Sequence, residues 1–183
     1  MLTFPVDARL KNGEPIHLQL AASADAAALR ALFEVIIREG RSYPHTGVSD
    51  EEFHRYWFLG TSTVVAYRGH GSGRAELAGA FYLRSNWPGR SRHVANAGFI
   101  VAPSSRNNGL GWLLGATMLQ YAKELGYRSV IFNLVFSENL SARRLWLKLG
   151  FSELAVIPEA VRNDDGRFQD AIIMWRSLEG AAS

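Results

Sequence analysis

Arg106-Asn107-Asn108-Gly109-Leu110-Gly111 is the stretch that decides how this chain is read. It follows an extended apolar run, Ala97-Gly98-Phe99-Ile100-Val101, which closes in Ala102-Pro103. It opens a segment in which Leu114, Met118, Tyr121 and Leu125 recur at helical spacing. A strand, an Arg/Gly-rich turn and a helix start make a site for phosphate. The N–H groups of a first helical turn lack intrahelical acceptors, and the helix dipole adds partial positive charge there. Glycine lets the backbone approach an anion closely, and Arg106 would add a fixed charge. Two common phosphate motifs fail on spacing. The dinucleotide fingerprint needs G-x-G-x-x-G, whereas these glycines fall at Gly109, Gly111 and Gly115. A P-loop needs Gly-Lys-Ser/Thr, and the chain has no such run. Taken alone, the loop also fits a plain glycine-rich connection between strand and helix.

Working outward, Ser129 to Val135 reads as a strand, apolar except for Asn133. Asn139 is placed to cap a helix running to Leu149, with Ala142, Leu145 and Leu149 inward and Gly150 ending it. Phe151 to Ile157 and Ala171 to Trp175 read as strands around a polar turn at Asn163 to Gly166. Upstream, Ile16 to Leu20 alternates as a strand. Ser23 or Asp25 can cap a helix to Arg38 that carries Leu29, Leu32, Phe33 and Ile36 on one face. Asp50 to Leu59 reads as a short aromatic-rich helix. Thr63 to Tyr67 and Leu77 to Leu83 read as a hairpin about a turn at Gly69 to Gly73, and His93 to Val101 as a strand. Strand, two helices, three strands, helix, strand, helix and two strands make an α+β chain with a mixed sheet.

At 183 residues, 48% hydrophobic and 20% charged, the chain is expected to be one globular domain over residues 1–183. It has no cysteine, so disulfides and thiol nucleophiles are excluded. No apolar run approaches ~18 residues, and Met1 to Leu10 does not read as a secretory signal, so a cytoplasmic protein without membrane contact is expected. The Asn139-Leu140-Ser141 sequon is then a chance match. The net charge of +3 is spread along the chain, densest at Arg84, Arg90, Arg92 and His93. No long basic tract suggests nucleic acid.

R-x-x-G-x-G after a strand ending Val101-Ala102-Pro103 resembles the pyrophosphate loop of the GCN5-related N-acetyltransferases (GNAT), which bind acetyl-CoA. Leu145-Trp146-Leu147-Lys148-Leu149-Gly150-Phe151 is similar to that family's L-Y-x-K-x-G-F segment. The element order matches its αβα fold, a mixed, mostly antiparallel sheet flanked by helices. The resemblance implies acetyl-CoA as co-substrate and no metal. The backbone of Phe99, Ile100 and Val101 would pair with the pantetheine arm, and the N–H of Phe99 or Ile100 would meet the thioester carbonyl. The N–H groups of Arg106, Asn107, Asn108, Gly109, Leu110 and Gly111 would hold the pyrophosphate. Asn139 stands where the family often places a polar residue facing the CoA sulfur; its amide would donate to the departing thiolate, or it is simply a helix cap.

Two departures bear on the chemistry. Many members carry a Tyr as the acid for sulfur, and the matching position is Trp146, whose indole N–H releases no useful proton. Trp146 is therefore assigned to packing. Many members also carry a Glu near the strand before the loop, but His93-Val94-Ala95-Asn96-Ala97-Gly98-Phe99 holds no acid. His93 is the nearest candidate for a base, or is a loop-edge histidine on a basic rim. Asn133 reads as a buried polar residue that lines the substrate site or satisfies backbone.

The segments Asn96-Ala97-Gly98-Phe99, Phe132-Asn133-Leu134-Val135, Ser137-Glu138-Asn139 and Ile157-Pro158 are also similar to fungal N-acetyltransferases of proline analogues such as azetidine-2-carboxylate. That narrower resemblance implies that Asn96 binds a substrate carboxylate with help from backbone N–H groups at Asn133 and Leu134. It also implies a homodimer. The expected activity is acetyl transfer from acetyl-CoA to a small amine, an amino acid or cyclic imino acid. The basic and aromatic loops Arg41 to Gly47 and Ser85 to Arg92 favour a small anionic substrate. The rival readings are a protein N-terminal or lysine acetyltransferase and a CoA-binding regulatory module without catalysis.

Overall fold

The structure is a computed structural model and describes residues 2–69 and 75–179. Its strands are β1 (Val6–Arg9), β2 (Pro15–Leu20), β3 (Ser62–Arg68), β4 (Glu76–Ser85), β5 (Val94–Val101), β6 (Ser129–Phe136), β7 (Ser152–Arg162) and β8 (Phe168–Ser177). Its helices are α1 (Ala26–Arg38), α2 (Asp50–Trp57), α3 (Leu110–Glu124) and α4 (Leu140–Lys148). The strands form one 8-stranded sheet in the order β1-β2-β3-β4-β5-β6-β8-β7. Every pairing is antiparallel except β5 with β6.

Local chemistry accounts for the boundaries. Ser49 and Glu52 form a reciprocal capping box that starts α2. Asn139 caps α4 by accepting from Ala142 N–H at 3.1 Å. Gly109, at φ +90°, sits at the N-cap of α3 in a left-handed conformation that suits glycine. Strand β1 departs from the expected order: it is four residues of polar alternation, too short for the pattern to announce itself. β7 and β8 run longer than expected because they pair with each other from Ser152 to Arg162, while β8 also pairs with β6. The tip of the β3–β4 hairpin, expected at Gly69 to Gly73, lies outside the described residues beyond Gly69.

Helices cover both faces. α1 and α2 press Leu29, Phe33, Ile36, Phe53 and Trp57 onto Val65, Ala80, Tyr82 and Ile100. α3 and α4 press Leu110, Leu114, Met118, Trp146 and Leu149 onto the opposite face, against Leu18, Val64, Phe81, Ala97 and Phe132. Phe33 is fully buried, and truncating such a side chain typically costs about 3–5 kcal/mol. No helix among the described residues is long and apolar enough to cross a membrane.

The unit β5-α3-β6 positions the site. A crossover helix joins two parallel strands, so the N-terminus of α3 stands at the C-terminal end of β5. In open sheets that end is where ligands bind.

Candidate active site

β5 and β6 touch only at their start, through Val94↔Ser129 and Ala95↔Val130. Beyond Ala95 they diverge, and among the described residues β5 keeps a strand partner only on its β4 side. Which groups face the opening follows from the antiparallel alternation. Ala102 N–H donates to Ala78 O at 2.8 Å, so Ala102 belongs to a hydrogen-bonded pair with β4. Ile100 and Gly98, two and four residues earlier, face β4 as well. Phe99 and Val101 then present N–H and C=O to the opening. This corrects the expectation for Ile100: its amide is committed to β4 and its side chain is buried in the core. Of the two candidate donors to a thioester carbonyl, only Phe99 is turned the right way. Its carbonyl already accepts from Tyr43 Oη at 3.1 Å, and its ring lies on Phe81, Phe132 and Trp146.

At the far end of the opening lies the Arg106 to Gly111 turn. Arg106 is extended, Asn107 has φ +64°, and Gly109 is left-handed, which turns the chain sharply into α3. The backbone ladder begins with Leu113 N–H donating to Gly109 O at 3.0 Å. The N–H groups of Gly109, Leu110, Gly111 and Trp112 lie ahead of it, at the mouth of the helix. Asn108 precedes them in the turn, and the Leu110 side chain anchors the turn in the core. The Arg106 guanidinium is not free: it pairs with Glu39 at 2.7 Å and reaches Val101 O at 3.4 Å. A cation from elsewhere lies nearby. The stem of Lys11, from the β1–β2 hairpin, passes 3.6 Å from where a Cβ on Gly109 would stand.

Asn96 is 9% exposed and its amide is already in use. Nδ2 donates to Ile131 O at 3.0 Å, and Oδ1 accepts from Tyr82 Oη at 3.4 Å. The side chain thus ties β5 to β6 where their backbones part. Asn133 departs from its expected burial: it is exposed and donates to Asn86 Oδ1 at 2.6 Å. The β6–β8 register nevertheless skips Asn133 and Leu134, a bulge between Phe132 and Val135 that releases their backbone from the ladder. Asn139 uses its side-chain oxygen as the α4 cap, and its NH₂ is not used by that bond. Trp146 is buried against Phe99, Phe132 and Phe151. His93 is exposed just ahead of β5, at the paired end of the strands, away from the opening.

The α1/α2 face of β5 holds groups that sequence spacing did not single out. Arg84 pairs across the strands with Asn96, and Tyr82 with Gly98. A cleft of about 180 Å³ lies there, lined by His45, Glu52, Arg55, Tyr56 and Arg84. Tyr56 and Tyr82 share a hydroxyl hydrogen bond at 3.0 Å, and the Arg84 guanidinium stands 5.2 Å and 5.1 Å from their ring centroids. Among the described residues Arg84 forms no ion pair. Burial pushes the phenols of Tyr43, Tyr56 and Tyr82 upward, so all three stay protonated at neutral pH. Gly98 makes room for this arrangement: a Cβ there would lie 2.3 Å from Tyr82 Cε1 and 2.8 Å from Tyr43 Oη. The only local signals were the aromatic richness of α2 and the basic loops.

Known proteins match this arrangement. A model of the acetyltransferase (GNAT) family covers residues 29–151. The chain is 43% identical over 89 residues to the N-acetyltransferase aca1 of Schizosaccharomyces pombe, a match covering 49% of this chain and 43% of aca1. The matched stretch thus spans less than half of the curated relatives. A GCN5-related N-acetyltransferase from Kribbella flavida superposes with TM-score 0.81 and 29% identity, over 88% of this chain and 97% of that one. A GNAT superfamily phosphinothricin acetyltransferase from Sinorhizobium meliloti, solved in complex with acetyl-CoA, gives TM-score 0.81 at 22% identity, over 92% and 91% of the two chains. With its family model spanning 29–151 and its splayed β5–β6 pair leading into the helix turn, the chain belongs to the acetyltransferase (GNAT) family.

Proposed function

We propose that this chain is an acetyl-CoA-dependent N-acetyltransferase of a small amine, an amino acid or cyclic imino acid, acting by direct acyl transfer as one domain. One observation carries the reading. Among the described residues the strand edge at Phe99 and Val101 has no strand partner, and it leads to the open first turn of α3. An arm with amides fits the edge as an added strand would, and a pyrophosphate fits the helix mouth. Lys11 supplies the positive charge there that Arg106 has committed to Glu39.

The amine enters from the α1/α2 face. The cleft beside Arg84 is small and aromatic, and its two arginines, Arg55 and Arg84, outnumber its one carboxylate, Glu52, which suits a carboxylate-bearing substrate. Arg84 takes the carboxylate, with the second N–H of the Asn96 amide and the released backbone at Asn133 and Leu134 nearby. The amine nitrogen attacks the acetyl carbonyl, Phe99 N–H donates to the developing oxyanion, and the thiolate departs toward the Asn139 NH₂. No cysteine is present to form an acyl-enzyme.

The reading extends to a cytoplasmic homodimer: on edge strand β7, Leu154 and Val156 are 57% and 56% exposed, a surface that a second copy would cover. The test is thiol release from acetyl-CoA over a panel of proline analogues, amino acids, and peptides with free N-termini or lysines. Release with small amino or imino acids alone is expected. Release with peptides alone would make the chain a protein acetyltransferase. Acetyl-CoA binding with no release from any amine would make it a regulatory module.

A further inference from the structure

Acyl transfer to an amine requires that the nitrogen lose a proton, and Asn96, the polar residue of β5 beside the opening, cannot take one. The groups around the cleft can be sorted by what each is able to accept. Tyr43, Tyr56 and Tyr82 are phenols held protonated by burial. Arg55 and Arg84 are permanently charged donors. The Glu52 carboxylate accepts from Ser49 N at 2.9 Å and Ser49 Oγ at 2.8 Å, and these bonds hold its pKa below the usual range, making it a poor base. His45 is the group that remains.

The placement of His45 fits that task. It lines the cleft from the loop between α1 and α2. Its ring is gripped by Phe33 of α1, Tyr43 of the same loop and Tyr56 of α2, at centroid distances of 5.7, 6.1 and 5.2 Å. Tyr43 in turn reaches Phe99 O, so the imidazole stands one side chain away from the strand edge where the thioester is proposed to lie. Nδ1 of His45 is buried and has no hydrogen-bond partner among the described residues. An unpartnered buried ring nitrogen is costly, and with no hydrogen bond among the described residues claiming it the imidazole is left available to a substrate amine in the cleft. The charged groups facing it are Glu52 and Arg55 from α2 and Arg84 from β4. Burial lowers the ring's pKa and the Glu52 charge raises it, with burial the larger influence. The neutral, accepting form therefore prevails at pH 7.

We propose that His45 is the proton acceptor of the transfer. As the amine nitrogen bonds to the acetyl carbon, its N–H bond breaks and the proton passes to the imidazole. The carbon–sulfur bond then breaks, CoA leaves as thiolate and takes a proton from solvent, and the imidazolium returns its proton to solvent. This assignment rests on the cleft being the amine site.

The experiment measures kcat/KM against pH for the best amine, with wild type, His45→Phe and His45→Asn. Folding is checked by melting, and cofactor binding by calorimetry with acetyl-CoA. In wild type, log kcat/KM should fall with slope one where only the amine titrates, and with slope two below the histidine's pKa, under about 6.5. Both variants should bind acetyl-CoA normally, lose about 10²–10⁴-fold in kcat/KM at neutral pH, and keep slope one throughout. Added imidazole should restore part of the activity of His45→Ala. Slope two persisting in a folded variant, or a loss below threefold, overturns the role of His45 and leaves the substrate reading standing. No turnover of any amine by wild type overturns the substrate reading and this role with it.

Discussion

Gly98→Ala tests the geometry of the cleft most directly. A methyl at 98 would lie 2.3 Å from Tyr82 Cε1, so the ring must retreat by about 1 Å to reach an ordinary contact near 3.5 Å. Tyr82 has little room to move: it is 3% exposed and meets Tyr56 and Trp57 edge-on at 4.9 and 5.5 Å. Overpacking of this kind costs about 1–3 kcal/mol, and losing the hydroxyl bond to Tyr56 about 1 more. Alanine returns about 0.5–1 kcal/mol through backbone entropy, because position 98 is extended strand. The net is about 2 kcal/mol, or a fall in Tm of roughly 4–8 °C for a chain of this length. Gly47→Ala, where a Cβ meets nothing within 4 Å, is the matched control and should change Tm little. Thermal unfolding followed by circular dichroism gives both values, and steady-state kinetics gives KM for the amine, which should rise severalfold. Unchanged Tm and KM in Gly98→Ala would refute the packing of Tyr82 over β5.

Asn96→Ala removes the tie to Ile131 O and leaves that carbonyl without its donor, a loss of about 1–3 kcal/mol in denaturant unfolding. If Asn96 also contacts a carboxylate, KM for the amine rises about tenfold while acetyl-CoA affinity holds; unchanged KM leaves only the tie. Gly109→Val places a branched side chain at φ +90° in the helix-mouth turn and should weaken acetyl-CoA binding at least tenfold in calorimetry while the protein still folds. Trp146→Phe keeps an aromatic body between Phe99 and Phe132, so turnover should fall only a few-fold; a ~100-fold loss at normal Tm would mark the indole as part of the chemistry.

The elements around the Arg106 to Gly111 turn were legible in the chain because their signals are local. A strand ending in Pro103, glycines at a helix start and an Asn cap each act within a few residues, and the structure holds α3 and α4 within a residue or so of where the spacing puts them. β1 was not legible: four polar-alternating residues form a strand only because β2 offers them a ladder. Asn133 looked buried because its neighbours are apolar, yet its side chain faces out at a bulge that no local pattern announces.

By itself the sequence determined the family, the order of elements from β2 onward and the position of the glycine-rich turn that opens α3, since those depend on period, turn chemistry and motif spacing. The tertiary structure decided which amides of β5 face the opening. Alternation needs a reference bond, and Ala102 N to Ala78 O supplies it. It also assembled the cleft from His45, Tyr56 and Arg84, which lie on separate elements and meet only when α1 and α2 close over β4 and β5. Such a site depends on contacts between residues far apart in the chain, and no short-range regularity encodes them.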